Sequence, residues 1–314
     1  MNRGMRTFIK RCMLSLHNLG IRCGWFIMPV HYYVSVPNIL ELKKTKDVWA
    51  KKSAMPGIDT SIEEQSSRML AMCKPYQSEY AGNKVREQGF TEGWGPGYGY
   101  IEAQALHGVI RDLKPKRIVE VGAGVSTLCM LQALELNEKE GAATCEYTCI
   151  EPYPSEKLRQ EKRIKLIDTP VQVVDYSVFE SLEAGDFLFI DSSHTVKPGS
   201  DVNYLYLEAL PRVKPGVVVH IHDITFPYDY DRNTLQEFTH WSESSLLRAF
   251  LIFNNRSSIL FSMSMLHYDR PESIKEAFPE YERAQDRNGL IDEFVKPYTS
   301  GGVGHFPSSI YLTM

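Results

Sequence analysis

The chain has 314 residues, room for one or two domains at about 150 residues each, and 43% of it is hydrophobic and 24% charged. Those proportions exclude a wholly disordered chain, a collagen-like repeat and a coiled coil. The net charge of −4 hides a split, because residues 1–52 carry ten Lys/Arg against two Asp/Glu while the remainder is strongly acidic. No nucleic-acid partner is expected for such a body.

At the amino end, Arg3, Arg6, Lys10 and Arg11 precede an apolar stretch that Arg22 and Pro29 interrupt. No run reaches the roughly 18 uncharged apolar residues of a membrane span, so no transmembrane segment is expected. Two readings of this segment stand side by side: peripheral contact with a membrane surface, and a basic helix packed on its own protein. The six cysteines lack CxxC or zinc-ligand spacing and read as reduced thiols of a cytoplasmic protein. Up to about Ala105, turn-rich pieces such as Ser53–Gly57 and Gly93–Gly99 punctuate short helical patterns, notably Ile62 to Cys73. Residues 1–95 are therefore read as a helical, loop-rich extension that completes an acceptor pocket or makes an oligomer contact, which leaves a homo-oligomer open.

From about residue 101 short apolar runs alternate with amphipathic ones, the pattern of an α/β, Rossmann-like, doubly wound and mostly parallel sheet. Helix Ile101–Asp112 leads to strand Arg117–Val121, and a glycine turn opens helix Ser126–Leu136. Next come strand Tyr147–Ile150, helix Pro154–Lys162, strands Val171–Val174 and Phe187–Ile190, helix Val202–Leu210 and strand Val217–His220. Helix Trp241–Phe253, strand Ser258–Met263, a polar insertion at about 265–305 and a returning run Ser308–Thr313 complete a domain over 96–314. The returning run is expected to pair antiparallel with Ser258–Met263. In such sheets ligands bind at the carboxyl ends of the strands.

The most informative stretch is Arg117-Ile-Val-Glu-Val-Gly-Ala-Gly-Val-Ser-Thr127. A strand running into Gly122-Ala123-Gly124 lets backbone approach a ligand, and the helix that follows offers free N–H groups. Acidic residues close this strand and those after it: Glu120, Glu151, Asp175 and Asp191. A dinucleotide fingerprint would place Gly or Ala where Thr127 stands, and Glu120 would face a pyrophosphate. S-adenosylmethionine has no phosphate, carries an ammonium and a sulfonium, and offers hydroxyls that carboxylates accept from. The acidic crevice suits it better.

These motifs resemble those of the class I S-adenosylmethionine-dependent methyltransferases, and more closely the type-24 methyltransferase-domain family. The resemblance spans about residues 95–265 and rests on Lys114–Thr127, Phe189-Ile-Asp-Ser-Ser-His194, Lys214-Pro-Gly216 with His222-Asp-Ile224, and Trp241 to Leu251. It implies that Gly122 and Gly124 line the methionine end of S-adenosylmethionine, that Ala123, Ser126 and Thr127 also bind the cofactor, and that Glu120 lies near its ammonium, through water or directly. Glu151 would take the ribose hydroxyls and Asp175 would lie near the adenine.

Methyl transfer to a hydroxyl also needs a proton acceptor, for which His194, three residues beyond Asp191, is the first candidate. Some relatives hold a divalent cation on carboxylates after the fourth and fifth strands, where this chain has Asp191 and Asp223. His222 stands beside them where a second acid is common, which sets a magnesium or manganese site on Asp191, His222 and Asp223 against Asp223 as a substrate-facing or structural carboxylate. Tyr228, Tyr230 and Trp241 offer an aromatic wall for a small-molecule acceptor, a sugar or natural product, with Asp229 or Glu243 accepting hydroxyls. The run Trp94–Tyr100 is expected to close over the cofactor. Two rivals remain at this point: an NAD-dependent oxidoreductase on a Rossmann sheet, and a catalytically silent protein that keeps the cofactor fold for binding.

Overall fold

The computed structural model describes residues 3–95, 97–291 and 304–314. The chain divides into two compact units, Met1–Trp49 and Ala50–Met314. In the first, helix α1 (Arg3–Arg22) ends where Trp25 N–H donates to the Gly20 carbonyl at 2.8 Å and turns the chain back. Gly20 is needed there, because a Cβ would come 2.8 Å from the Trp25 carbonyl oxygen. A short helix, Ile39–Lys44, then starts at Asn38, whose Oδ1 accepts from Leu40 N–H at 3.1 Å. Among the described residues no helix is long and apolar enough to cross a membrane.

The second unit is built on a seven-stranded sheet: β1 (Arg117–Val121), β2 (Glu146–Ile150), β3 (Lys165–Ile167), β4 (Phe187–Ile190), β5 (Val218–Ile221), β6 (Ser258–Ser262) and β7 (Ile310–Thr313). Their order is β3-β2-β1-β4-β5-β7-β6. The pairs from β3 to β5 are parallel, and β7 runs antiparallel between β5 and β6. The expected reversed strand is thus present, with β6 as one of its two partners. β1 and β4 point from opposite sides of a reversal in strand order, so a crevice opens at their carboxyl ends.

Helices cover both faces, as the near-continuous apolar runs of β4 and β5 require. On one face α2 (Ile62–Cys73), α3 (Lys84–Glu92), α4 (Tyr100–Leu113) and α5 (Val125–Lys139) bury Met69, Leu106, Ile110 and Met130 against Ile118 and Phe187. On the other, α6 (Asp201–Tyr204), its π-turn continuation Leu205–Ala209 and α7 (Glu243–Leu251) bury Leu205 and Leu247 against Val119, Leu188 and Val219. Residues 50–95, which the sequence reading placed in the extension, therefore supply core to the second unit through Met69, Cys73 and Tyr80. Part of the stretch read as a polar insertion also forms helices, α8 (Met263–Asp269) and α9 (Pro271–Ala277), which bury Leu266 and Ile274. Its residues 292–303, like Pro96 of the Trp94–Tyr100 run, lie outside the described residues.

One strand differs from expectation. The third strand is Lys165–Ile167, and Val171–Val173 forms a single 3-10 turn instead. Pro170 at its start withholds the ladder donor a strand would use and presets the turn.

Candidate active site

Side chains alternate along β1, so Ile118 and Glu120 face the α4/α5 layer while Val119 and Val121 face the other. Glu120 is consequently fully buried. Its carboxylate accepts from Ser126 Oγ, Thr127 Oγ1 and Tyr147 OH, each at 2.7 Å, and from Cys149 Sγ at 3.2 Å. Thr127 Oγ1 in turn accepts from Gly124 N–H at 3.0 Å. Glu120 and Thr127 thus clamp the glycine turn to the start of α5 from beneath. Both side chains are buried and make these hydrogen bonds inside the protein, so they support the turn from below.

Burial pushes the Glu120 carboxyl up to about 7, although its four donors favour the ionised form. A native value above the unfolded one means stability that is full in acid and lost as pH rises from about 4.5 to 7. Denaturant titrations across that window should show about 3 kcal/mol of decline from this group, and Glu120→Gln should flatten it. An unchanged slope in the variant would refute the assignment.

Above the clamp lies a cleft of about 200 Å³, lined by Gly97, Tyr98, the Gly122–Ser126 turn, Glu151, Asp191 and Ser192. Gly122 has φ +80°, and a Cβ there would overlap the Asp191 carbonyl oxygen. Glu151, at the end of β2, receives Ala123 N–H at 3.3 Å and Tyr153 N–H at 2.7 Å, which holds it at the cleft's edge. Gly97 and Tyr98 line the same cleft as the glycine turn. Through Gly122, Glu151 and Asp191 the cleft continues into a groove of about 420 Å³ lined by Pro152, Val171, Gln172 and Asp201. Asp175 is not among its residues: it is exposed and accepts from Ser177 N–H at 2.9 Å, capping the turn of helix Ser177–Glu180. Val171 and Gln172, just ahead of it in the chain, line the groove.

At the ends of β4 and β5 four side chains converge. Asp191 Oδ1 lies 3.4 Å from both His194 Nε2 and His222 Nδ1, and Asp223 Oδ2 lies 3.7 and 3.5 Å from the same atoms. His194 and Asp223 both hold left-handed backbone, φ +58° and +55°, a strained state enriched at functional sites. Neighbouring elements fix each member. The His194 carbonyl accepts from Ser242 N–H at 2.8 Å at the start of α7, and its Nδ1 meets Glu243 Oε2 at 2.7 Å. Ser308 Oγ donates to Asp223 Oδ1 at 2.7 Å, while Glu102 of α4 receives Ser309 Oγ at 2.7 Å and stands 3.1 Å from His222 Nε2.

These contacts decide the charges. Burial would lower His194, but Asp191, Glu243 and Asp223 more than offset it and raise the ring to about 10. His222 is likewise raised well above the usual histidine value: burial opposes, and Asp223, Asp191 and Glu102 prevail. Asp191, despite burial, is held well below the carboxylate range by His222 and His194. At neutral pH two imidazolium rings therefore stand among four carboxylates. The raised value biases His194 toward its charged form at neutral pH, the opposite of what a general base requires. Among the described residues no group of three or more His, Cys, Asp or Glu side chains is arranged to hold a metal ion, so the side chains expected as ligands hold one another instead.

Asp223 also opens onto a second cavity of about 240 Å³ with Asp231, Asn233, Trp241 and Ser308 on its walls. The Trp241 ring lies 4.5 Å from that of His194. Tyr228 and Tyr230 are not part of this wall. Both are buried, Tyr228 edge-on to Tyr268 at 5.0 Å over Gly289, and Tyr230 donating to the Asn288 carbonyl at 2.7 Å. Glu243, offered as an acceptor contact, is turned inward to His194 and Ser192. Glu102, Ser308 and Asp231 were not singled out from sequence. Only Glu102 left a signal there, as an acid in the first turn of an otherwise largely apolar helix.

Comparison with known proteins agrees with this geometry. Residues 119–224 match the pattern of a family described as a methyltransferase domain. An uncharacterized protein of Archaeoglobus fulgidus is 33% identical over 170 residues, which cover 51% of this chain and 75% of that protein. Similar solved structures include an SAH-bound methyltransferase of Podospora anserina (16% identity, 74% of this chain and 92% of that chain, TM-score 0.36) and an O-methyltransferase of Bacillus cereus with SAH (16%, 61% and 90%, TM-score 0.38). With its glycine turn under an acidic crevice and the family pattern across β1 to β5, this chain belongs to the methyltransferase-domain family and is a class I S-adenosylmethionine-dependent methyltransferase.

Proposed function

We propose that the protein methylates a hydroxyl of a small polyhydroxylated molecule, a sugar or natural product. One observation carries the reading: Asp191 lines the cleft, Asp223 lines the second cavity, and both reach His194 and His222. In this reading Gly122, Ala123 and Gly124 receive the methionine end of the cofactor, with Ser126 and Asp191 alongside. Glu151 accepts the ribose hydroxyls, and Val171 and Gln172 flank the adenine. The excess of carboxylates over imidazolium rings favours a sulfonium in the adjoining cleft.

The acceptor stacks on Trp241, and Asp231 and Asn233 bind its other hydroxyls. Its reacting oxygen attacks the methyl carbon in line with the carbon–sulfur bond, which breaks with the electron pair left on sulfur. The hydroxyl proton passes to Asp223, while His194 and His222 hold that carboxylate in place. Because His194 is already charged, turnover should be flat over roughly pH 6 to 8 and decline only toward the His194 value of about 10. An inflection near pH 6.5 would restore His194 as the base.

The direct test is incubation with S-adenosylmethionine and a panel of sugars, phenols and amines, reading product mass and S-adenosylhomocysteine. Methyl groups on oxygen support the proposal; methylation confined to amines sinks it, and cofactor binding without any turnover favours a silent binding protein. A second reading, a divalent cation drawn to the cluster, rests on the Asp191 and Asp223 carboxylates, which converge on the same two rings. Loss of turnover on chelation, restored by manganese or magnesium, would support it, and indifference to a chelator would dismiss it.

A further inference from the structure

We infer that the amino-terminal unit binds an anionic lipid bilayer surface through α1 and the aromatic turn that follows. On α1, Phe8, Ile9, Cys12, Leu16 and Leu19 recur at helical spacing on one side, with Arg6, Lys10, Arg11 and Asn18 on the other. The apolar side faces solvent: Phe8 is 67% exposed, Leu16 51% and Leu19 59%. Beyond the helix, Trp25, Phe26, Tyr32 and Tyr33 are all more than 70% exposed. Single exposed apolar residues are ordinary, whereas an ordered stripe followed by four exposed aromatics is not.

Charge selects the occupant. Through residue 40 the chain carries five Lys/Arg and no Asp or Glu. A second copy of the helix would set basic flanks against basic flanks with no carboxylate between them. An anionic lipid surface answers both sides at once: headgroup phosphates and carboxylates meet the basic residues, and acyl chains take the apolar stripe. Trp25, Tyr32 and Tyr33 suit the interfacial zone, where a ring is buried and its polar edge stays wet. The basic residues on the helix itself argue for lying in the interface rather than crossing it.

The test uses the full chain with vesicles of phosphatidylcholine alone and of phosphatidylcholine mixed with phosphatidylserine. Binding to the mixed vesicles should exceed that to neutral ones by about tenfold or more and weaken as salt is added. Phe8→Asp with Leu16→Asp, and separately Arg6→Glu with Lys10→Glu and Arg11→Glu, should each reduce it by about tenfold or more. Affinity for S-adenosylmethionine should stay at the wild-type value in both variants, which distinguishes lost lipid binding from lost folding. Equal binding to both vesicles, or to neither, overturns the inference. So does self-association without lipid that Leu16→Asp removes, which would give the apolar stripe to a second copy.

Discussion

Gly122→Ala is expected to weaken S-adenosylmethionine binding by about 100-fold or more, about 2.7 kcal/mol, and to lower the thermal midpoint as well. Two penalties coincide at this residue. Its φ of +80° costs an L residue roughly 1–2 kcal/mol, and the added methyl would run into the Asp191 carbonyl oxygen, which is backbone and cannot rotate away. Relief requires β1 and β4 to part at the floor of the cleft. Gly141→Ala is the control, since Gly141 has φ +91° but nothing within 4 Å of a Cβ. It should show the conformational penalty alone, with cofactor affinity intact. Calorimetric titration of both variants decides the matter: wild-type affinity in Gly122→Ala would remove the glycine turn from the cofactor site.

Asp223→Asn should lower kcat by about a thousandfold while the dissociation constant for S-adenosylmethionine changes less than about twofold. The amide keeps the volume and can still accept from Ser308 Oγ, so the cavity wall survives. It cannot take up the hydroxyl proton, and the two imidazolium rings lose one of their carboxylates. Single-turnover assays beside calorimetry separate the effects. Wild-type kcat in this variant would move the proton acceptor elsewhere in the cluster, and Asp191→Asn is the comparison that would locate it.

How far the sequence could be read varies with the distance over which a feature is determined. β1 and β4 were legible because each is a short apolar run bounded by charge, and their observed limits, Arg117–Val121 and Phe187–Ile190, match the pattern. Helix Ile62–Cys73 was equally plain. β3 was not: three residues on the sheet edge carry little pattern, and the more apolar Val171–Val174 competes with them. Of the carboxylates at strand ends, Glu151 and Asp191 line the cleft, while Asp223 lines the second cavity. The clamp role of Glu120 was not legible, because its donors Tyr147 and Cys149 lie on a neighbouring strand 27 and 29 residues on. Likewise, the state of His194 depends on Glu243, 49 residues on, and on Asp223, neither of which a local reading can supply.

The Ser308 and Ser309 contacts join residues 206 and 207 positions apart to Glu102, and they lie just before the strand that slots between β5 and β6. Such a contact closes a long loop, and chains that depend on them fold slowly. Until β7 is seated, β5 and β6 each present an unpaired edge, open to pairing with another chain. In the same interval Asp223 lacks its serine and Glu102 its donors. Insertion of one four-residue strand therefore pairs the facing edges of β5 and β6 and completes the cluster in a single event, so the refolding protein should gain turnover in step with its last hydrogen-bonded strand rather than with its bulk secondary structure.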